Sequence, residues 1–407
     1  MLSVDEALQR VLARASTRAS RECAVSEALG LVLAEDITSD VDSPPHDKSM
    51  VDGYAIVADD LASGQAELDV LEEVTAGNLP THRVNRGQST RIMTGAPIPA
   101  GANAVVMVEY AEPVARDPKP SRVRLTARSA AAGQNIMRRA SSMACGQRVL
   151  TAGRALRGIE LGILAEVGRT TVLTVPRPTL AVLATGNELV PSQTVPAAGQ
   201  IRNSNGPLLL AIAQAAGAVP IDLGIARDEA DALRSRIERG LECDVLVVSG
   251  GVSAGVLDLV PGVLAAVGVR QEFHKVNLKP GKPLWFGTYA RPNGTALVFG
   301  LPGNPVSSLV CFELFVRPAI GQLSGRGNNG LAEVAATLTV DYQHHGERPT
   351  YHPARLFDRD GEPAVEPLRW QGSGDLRTLA QANSLACFPM GTFLHRSGAR
   401  IRTLRLP

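Results

Sequence analysis

Lysine is scarce in this chain. Of 41 basic residues only five are lysine: Lys48, Lys119, Lys275, Lys279 and Lys282. Aromatic residues make up 4%, too few for the stacking platform of a single-strand nucleic-acid binder. The net charge is +1, so the chain carries neither the basic field that nucleic acid demands nor an acidic tail. Its five cysteines, Cys23, Cys145, Cys243, Cys311 and Cys387, are scattered, odd in number and never spaced C-x-x-C. That pattern excludes a disulfide framework and a zinc-ribbon site, and it predicts a reduced, cytoplasmic protein. No apolar stretch reads as reaching the ~18 residues of a membrane span. The opening residues lack the apolar core of a signal peptide. The expectation is therefore no membrane and no nucleic-acid partner.

The 407 residues are 44% hydrophobic and 20% charged, a globular composition too long for one ordinary core. Ser3-Val4-Asp5-Glu6 is a capping-box pattern, and Leu8, Val11 and Leu12 follow at helical spacing, so a helix opens the chain. Residues 41–129 read as short β segments, including 68–74 and 104–108, with a loop at 113–120. Helix-like sequence returns at 158–167, and a strand at 171–175 runs into Pro176-Arg177-Pro178, a domain boundary.

From about 179 to 322 the pattern changes. Apolar runs at 180–184, 219–223, 245–248 and 296–299 alternate with helical stretches near 205–217, 228–239, 256–267 and 304–320. Continuous apolar runs suit strands buried on both faces, and the alternation predicts a doubly wound, mostly parallel α/β sheet. Beyond 326 the sequence is β-like again, without lysine, and predicts a small β-barrel or sandwich.

In open α/β sheets ligands bind beyond the carboxyl ends of the strands. Three of the apolar runs end in Gly-rich turns: Thr185-Gly186-Asn187-Glu188, Ser249-Gly250-Gly251-Val252-Ser253-Ala254-Gly255, and Gly300-Leu301-Pro302-Gly303-Asn304-Pro305. Such turns let backbone amides approach an anion at a helix start, and Asn304 with Pro305 forms an N-cap and N1 pair. Neither G-x-G-x-x-G nor a P-loop occurs at these strands, which argues against a nicotinamide dehydrogenase and a P-loop ATPase. Lys275, Lys279 and Lys282 fall within eight residues of an otherwise Arg-rich chain. A compact ammonium suits a tight anion site where the planar guanidinium fork does not fit. Chance clustering on a solvated strand is the plain alternative. Glu188, Asp228 and Asp258 lie near the turns and are candidate ligands of Mg²⁺, which takes carboxylate and phosphate oxygens together. Asp228 also reads as an ordinary helix N-cap, and Asp258 as a solvated first-turn acid. Two upstream loops, Pro44–Ala55 (44–55) and 93–106, carry Asp52 and Thr94 in polar, Gly-containing surroundings that name no substrate by themselves.

These motifs, in this order, resemble the molybdopterin molybdenumtransferase family: residues 49–55, 94–106, 185–189, 249–255, 279–283 and 301–306 carry the likeness. The resemblance implies four domains. An elongated helical and dimerisation domain would comprise 1–40 and 130–175, and an inserted β domain 41–129. An α/β molybdopterin-binding domain, similar to molybdopterin adenylyltransferase, would span 176–325, and a C-terminal β-barrel-like domain 326–407. It further implies a homodimer, with adenylyltransferase or recipient molybdoenzymes as possible partners. Adenylylated molybdopterin and molybdate would be substrates, Mg²⁺ the cation, and AMP a product. On that reading Asn205, Ser249, Gly250, Gly251, Ser253 and Gly255 hold the pterin or its phosphate. Lys275, Lys279 and Lys282 bind molybdate and phosphate oxygens. Glu188, Asp228 and Asp258 hold the cation or position the attacking group. Pro302, Gly303, Asn304 and Pro305 form a rigid last turn, and Asp52 and Thr94 close the site from the partner subunit. The sequence departs from the family pattern at Ser141-Ser142, where an acidic pair is common, at Asn187 in place of Asp, and at Lys48 in place of Asn. The alternatives are the adenylyltransferase itself, which is normally a single α/β domain, and a non-catalytic scaffold of the gephyrin kind.

Overall fold

The computed structural model describes residues 1–114, 121–127, 130–252, 259–327 and 330–407. Lys119, Ser253, Gly255 and Asp258 lie outside the described residues. The chain divides into two compact units, one of Glu35–Ala152 with Gly158–Thr171, the other of Met1–Ala34, Gly153–Arg157 and Val172–Pro407.

The first unit is built on a six-stranded sheet in the order Ala104–Met107, Gly53–Ile56, Gln88–Ile92, Gln65–Val74, Arg122–Thr126, Ala111–Val114. Alternating apolar residues from these strands, among them Tyr54, Ile56, Leu68, Val106, Val123 and Leu125, form its core. Two short pairings lie beside it, Lys48–Ser49 with Ile136–Met137 and Ile37–Thr38 with Arg148–Leu150.

The elongated helical domain expected from 1–40 and 130–175 is corrected on two counts. The α-helices in those segments are Val4–Arg14 and Gly158–Glu166, and short strands make up much of the rest. The first helix also belongs with the α/β unit, because Ala7 and Val11 on its buried stripe join the same core as Phe312 and Phe315. Its capping box is as expected: Glu6 N–H donates to Ser3 Oγ at 3.1 Å, and Ser3 N–H donates to Glu6 Oε2 at 2.8 Å.

In the second unit the sheet order is Val219–Ala226, Thr179–Thr185, Val245–Ser249, Gly294–Leu301, Trp285–Arg291, Arg270–His274. The first four strands run parallel, and Trp285–Arg291 is antiparallel to both of its neighbours. Alternate residues of one strand enter opposite cores: Leu180 and Val182 on one face, Ala181 and Leu183 on the other. That is why the strands read as unbroken apolar runs rather than as alternating ones.

Helices Asn205–Ala215, Ala230–Leu241 and Leu259–Ala266 flank the sheet, and a longer run covers Pro305–Leu323. This last run corrects the expectation that no segment is long and apolar enough to cross a membrane. It has 19 residues with a mean hydropathy of 1.3, and 89% of its most apolar window is buried inside the fold. It is the central core helix of this unit, which is why it is so largely apolar.

The C-terminal segment closes into a barrel of Glu333–Leu338, Glu362–Pro367, Thr350–Arg359, Ser384–Phe388 and Arg400–Arg405. A two-stranded ribbon, Tyr342–Gly346 with Gly391–His395, accompanies it. Where ribbon meets barrel, Tyr342, His344, His352 and His395 surround Phe388. His352 Nε2 lies 2.8 Å from the Leu368 carbonyl, which can only accept, so Nε2 carries the proton and Nδ1 accepts from Tyr342 Oη at 3.0 Å. Burial pushes this imidazole down to about 4. Burial, with His395 and Lys279 nearby, lowers His344 as well.

The unfolded chain therefore takes up protons between pH 6.5 and 4 that the folded barrel refuses. Barrel stability is complete above pH 6.5 and falls as the pH drops towards 4. Between pH 6.5 and 5, His352 alone accounts for a loss of about 2 kcal/mol. A His352→Gln variant should show a flatter dependence of the denaturant midpoint across that window. An unchanged slope would remove His352 as its source.

Candidate functional site

The three Gly-rich turns share one cavity of about 630 Å³, at the carboxyl ends of the parallel strands. Thr185, Gly186 and Glu188 line it from the first turn, Ser249, Gly250 and Gly251 from the second, and Pro302, Gly303, Asn304 and Pro305 from the third. Asn205 and Asp228 complete the set, so every expected residue of these loops that is described faces one space.

The turns are held by specific contacts. Gly250 and Gly251 have φ of +98° and +63°. A Cβ at Gly250 would sit 2.5 Å from the Thr185 carbonyl, and one at Gly251 2.7 Å from Val260 Cγ2. Backbone conformation and packing therefore both demand glycine there. Asn205 is nine-tenths buried, and its Nδ2 donates to Ser249 Oγ at 2.8 Å and to the Gly303 carbonyl at 2.7 Å. Its amide protons thus fasten the second turn to the third, a positioning role that the sequence did not reveal. Asn304 is the N-cap and Pro305 occupies the first turn, as expected. The Asn304 side chain does not cap the helix. It donates to Ser373 Oγ at 2.9 Å, tying the turn to the C-terminal segment.

Glu188 folds back over Gly186, its carboxylate oxygens 2.6 Å from where a Cβ on that glycine would be. Asp228 is not the N-cap; that position is Glu229. The Asp228 N–H donates to Asn187 Oδ1 at 3.2 Å. Asn187 thus serves as an acceptor within the turn, which the usual Asp would also do. Among the described residues no three His, Cys, Asp or Glu gather as a protein-only metal centre. Glu188 and Asp228 in one cavity fit Mg²⁺ of another kind, bound by one or two carboxylates with phosphate oxygens and water supplying the rest.

The lysines divide. Lys279 and Lys282 line a second cavity of about 340 Å³, which shares Pro283, Pro302 and Asn304 with the first. Lys275 lines neither. Its φ of +73° and its amide bond to the Leu284 carbonyl turn the chain at the end of the Arg270–His274 strand. The expectation that three lysines converge is corrected to two.

The second cavity also contains groups the sequence did not single out: Arg348, Trp370, Ser307 and Ser373. Arg348 Nη1 donates to the Leu278 carbonyl at 2.9 Å, and Lys279 bonds through its backbone to Pro349 and Tyr351 at 2.8 Å each. The barrel segment thereby delivers a guanidinium beside the lysine loop. Among the described residues none of Lys279, Lys282 and Arg348 is ion-paired to a carboxylate. Three such cations around a small cavity suit a compact oxyanion.

A larger cavity, about 1010 Å³, lies elsewhere, around Arg18, Thr179, Asp244 and Arg291. Its central charges satisfy one another: Asp244 accepts from Thr179 N–H at 2.8 Å, from Arg291 Nη2 at 3.0 Å, and lies 3.2 Å from Arg18 Nε. It contains no candidate residue from the sequence.

In the other unit, Asp52 and Thr94 do meet. Asp52 Oδ1 accepts from both the hydroxyl and the backbone N–H of Thr94, each at 2.7 Å. These bonds hold the carboxyl below its ordinary range. Arg138 and Arg139, beside the Ser141-Ser142 departure, bond to Asp47 and Asp42.

Three family models cover the chain: the MoeA N-terminal region (domain I and II) at residues 2–168, the probable molybdopterin binding domain at 181–322, and the MoeA C-terminal region (domain IV) at 335–402. A molybdopterin molybdenumtransferase of Nostoc is 34% identical over 93% of this chain and 87% of its own length. One of Bacillus subtilis is 33% identical over 99% of this chain and 94% of its own. The chain belongs to the molybdopterin molybdenumtransferase family. The fold agrees: a crystal structure of the molybdopterin biosynthesis moeA protein from Pyrococcus horikoshii superposes with a TM-score of 0.81 at 29% identity, covering 99% of this chain and 100% of that one. The chain is accordingly a transferase of molybdenum cofactor biosynthesis.

Proposed function

We propose that this enzyme inserts molybdenum from molybdate into adenylylated molybdopterin and releases AMP, in the cytoplasm and as a homodimer. The observation that carries this reading is the pair of cavities with a common wall at Pro283, Pro302 and Asn304. The larger, floored by the Gly250-Gly251 turn, takes the pterin and its phosphoanhydride. The smaller takes molybdate between Lys279, Lys282 and Arg348. Two anions then lie side by side, as a metal transfer coupled to phosphoanhydride cleavage requires.

Glu188 and Asp228 would hold Mg²⁺ against the phosphate oxygens, where it would neutralise charge developing on the leaving phosphate. The residues of this chain do the positioning. Asn205 keeps the two turns in register, and the rigid Pro302–Pro305 turn (302–305) holds the wall between the substrates. The lysines and Arg348 orient the oxyanion towards the dithiolene. The locked Asp52–Thr94 pair of the partner subunit would close the larger cavity.

The test is AMP release from adenylylated molybdopterin with Mg²⁺, with and without molybdate. Release that depends on molybdate is expected. Incorporation of AMP from ATP, with no molybdate-dependent release, would instead make the chain an adenylyltransferase.

A further inference from the structure

The two cavities of the site differ in sign. Glu188 and Asp228 line the larger one, whereas among the described residues no carboxylate lines the smaller. Glu347, next in sequence to Arg348, lines a separate cavity. The smaller cavity therefore presents Lys279, Lys282 and Arg348 with no acid to oppose them.

Backbone acceptors around it are engaged as well. In the lysine loop, the Lys279 carbonyl accepts from Tyr351 N–H at 2.8 Å, that of Gly281 from Leu284 N–H at 3.1 Å, and that of Lys282 from Val276 N–H at 3.0 Å. Cys311 Sγ, fully buried, gives Gly281 a second donor at 3.5 Å. Elsewhere on the lining, the Pro302 carbonyl accepts from the buried Ser308 hydroxyl, and the Ser373 carbonyl from Val306 N–H at 3.0 Å. The side-chain acceptors that line the cavity are neutral: Asn304 Oδ1 and the hydroxyls of Ser307 and Ser373.

This lining bears on which oxyanion is held. Molybdate, tungstate and sulfate are tetrahedral dianions that carry no proton at neutral pH. Hydrogen phosphate and hydrogen arsenate are tetrahedral dianions that carry one. Cations attract both kinds alike. The difference is the O–H group, which must donate, and whose strong acceptor is an ionised carboxylate. Among ammonium and guanidinium donors that hydroxyl finds no partner, and the donor facing it loses an acceptor.

We propose that the smaller cavity selects tetrahedral oxyanions that carry no proton and rejects hydrogen phosphate and hydrogen arsenate, by surrounding its ligand with cations and withholding a carboxylate. This rests on the oxyanion reading of the cavity given above and adds to it a rule of selection. Leaving polar groups of the wrong ligand unpaired discriminates more steeply than a small misfit in size.

The experiment is competition equilibrium dialysis on the full-length protein at about pH 8, with labelled molybdate displaced by unlabelled oxyanions. Two pairs are compared, each roughly matched in size: sulfate against phosphate, and tungstate against arsenate. In each pair the proton-free member should compete about 30-fold more strongly or better. Phosphate and arsenate within about threefold of their partners overturn the proposal, the penalty for an unpaired group being then absent. An order that follows size instead, with tungstate and arsenate together ahead of sulfate and phosphate, overturns it too.

Ser373→Asp supplies the missing acceptor. Ser373 Oγ already accepts from Asn304, so a carboxylate there keeps that bond. The added charge should weaken sulfate and phosphate alike, yet bring phosphate to within about threefold of sulfate. Ser373→Asn, without the charge, should keep the wild-type ratio. A ratio unchanged in the Asp variant overturns the role given to the carboxylate. Wild-type protein that binds no molybdate refutes the oxyanion reading itself, an outcome distinct from binding without selection.

Discussion

Replacing Lys279 with alanine should lower kcat/KM for molybdate by roughly 10²–10³-fold, the usual consequence of removing one preorganised charge stabiliser. Lys275→Ala should stay within about threefold of wild type. The contrast is sharp because the two residues are four positions apart and chemically identical. Only their placement separates them: Lys279 lines the oxyanion cavity, while Lys275 sits at a φ of +73° and lines neither cavity of the site. Lys282, exposed at the cavity edge, should fall between them. Steady-state kinetics with molybdate varied at saturating adenylylated molybdopterin distinguishes the three. The far-ultraviolet circular dichroism of each variant should match wild type, since among the described residues none of these lysines is ion-paired. A severe Lys275 variant with a mild Lys279 variant would invert the site map.

The same lysine loop shows where sequence reasoning reaches its limit. The rim turns were legible because each follows a buried strand directly: the strand fixes where the turn begins, and glycine or proline fixes how it turns. The chain from Thr185 to Glu188, the Ser249-Gly250-Gly251 turn and the 301–305 turn could therefore be placed together before any contact was known, and they line one cavity. The lysines could not be sorted in this way. Whether a side chain in an irregular segment faces a cavity depends on individual dihedrals, and the positive φ at Lys275 has no marker such as glycine.

Arg348, Trp370 and Ser373 were beyond reach for a different reason. They come from the C-terminal barrel and its connections, some 70 residues or more after the lysine loop, through contacts such as Lys279 with Thr350 and Asn304 with Ser373. Nothing in the barrel sequence announces that pairing. Helix positions fared well because apolar spacing and caps are local. The grouping of the first helix did not, since an apolar stripe says that a helix packs but not against which neighbour.

Glu313→Ala should destabilise the α/β unit by about 3–5 kcal/mol, the cost expected when one member of a buried ion pair is removed and the other charge is left in the core. Glu313 and Arg317 are 2% and 6% exposed, and they pair in two places, Arg317 Nε with Glu313 Oε2 and Arg317 Nη2 with Glu313 Oε1, the second at 2.9 Å. They lie in the run that begins at Pro305, where a π-helical turn, Phe312–Val316, interrupts the helix. Around them the core is otherwise apolar, including Phe312, Phe315 and Ile320.

An unpaired guanidinium there has no water to reach. Joint replacement of both residues by methionine should recover most of the lost stability, because it removes the desolvation cost together with the attraction. Urea unfolding followed by Trp285 fluorescence reads this directly, as that indole is buried in the same unit. Loss of the helix also reaches the site, since the segment leading into it supplies Pro302 and its N-cap Asn304 to the wall between the two cavities. The alanine variant should therefore lose turnover as its melting temperature is approached, and the double-methionine variant should retain it. A single-alanine variant within 1 kcal/mol of wild type, an amount roughly typical of exposed pairs, would mean that the pair is solvated and that the helix draws its stability from its apolar faces alone.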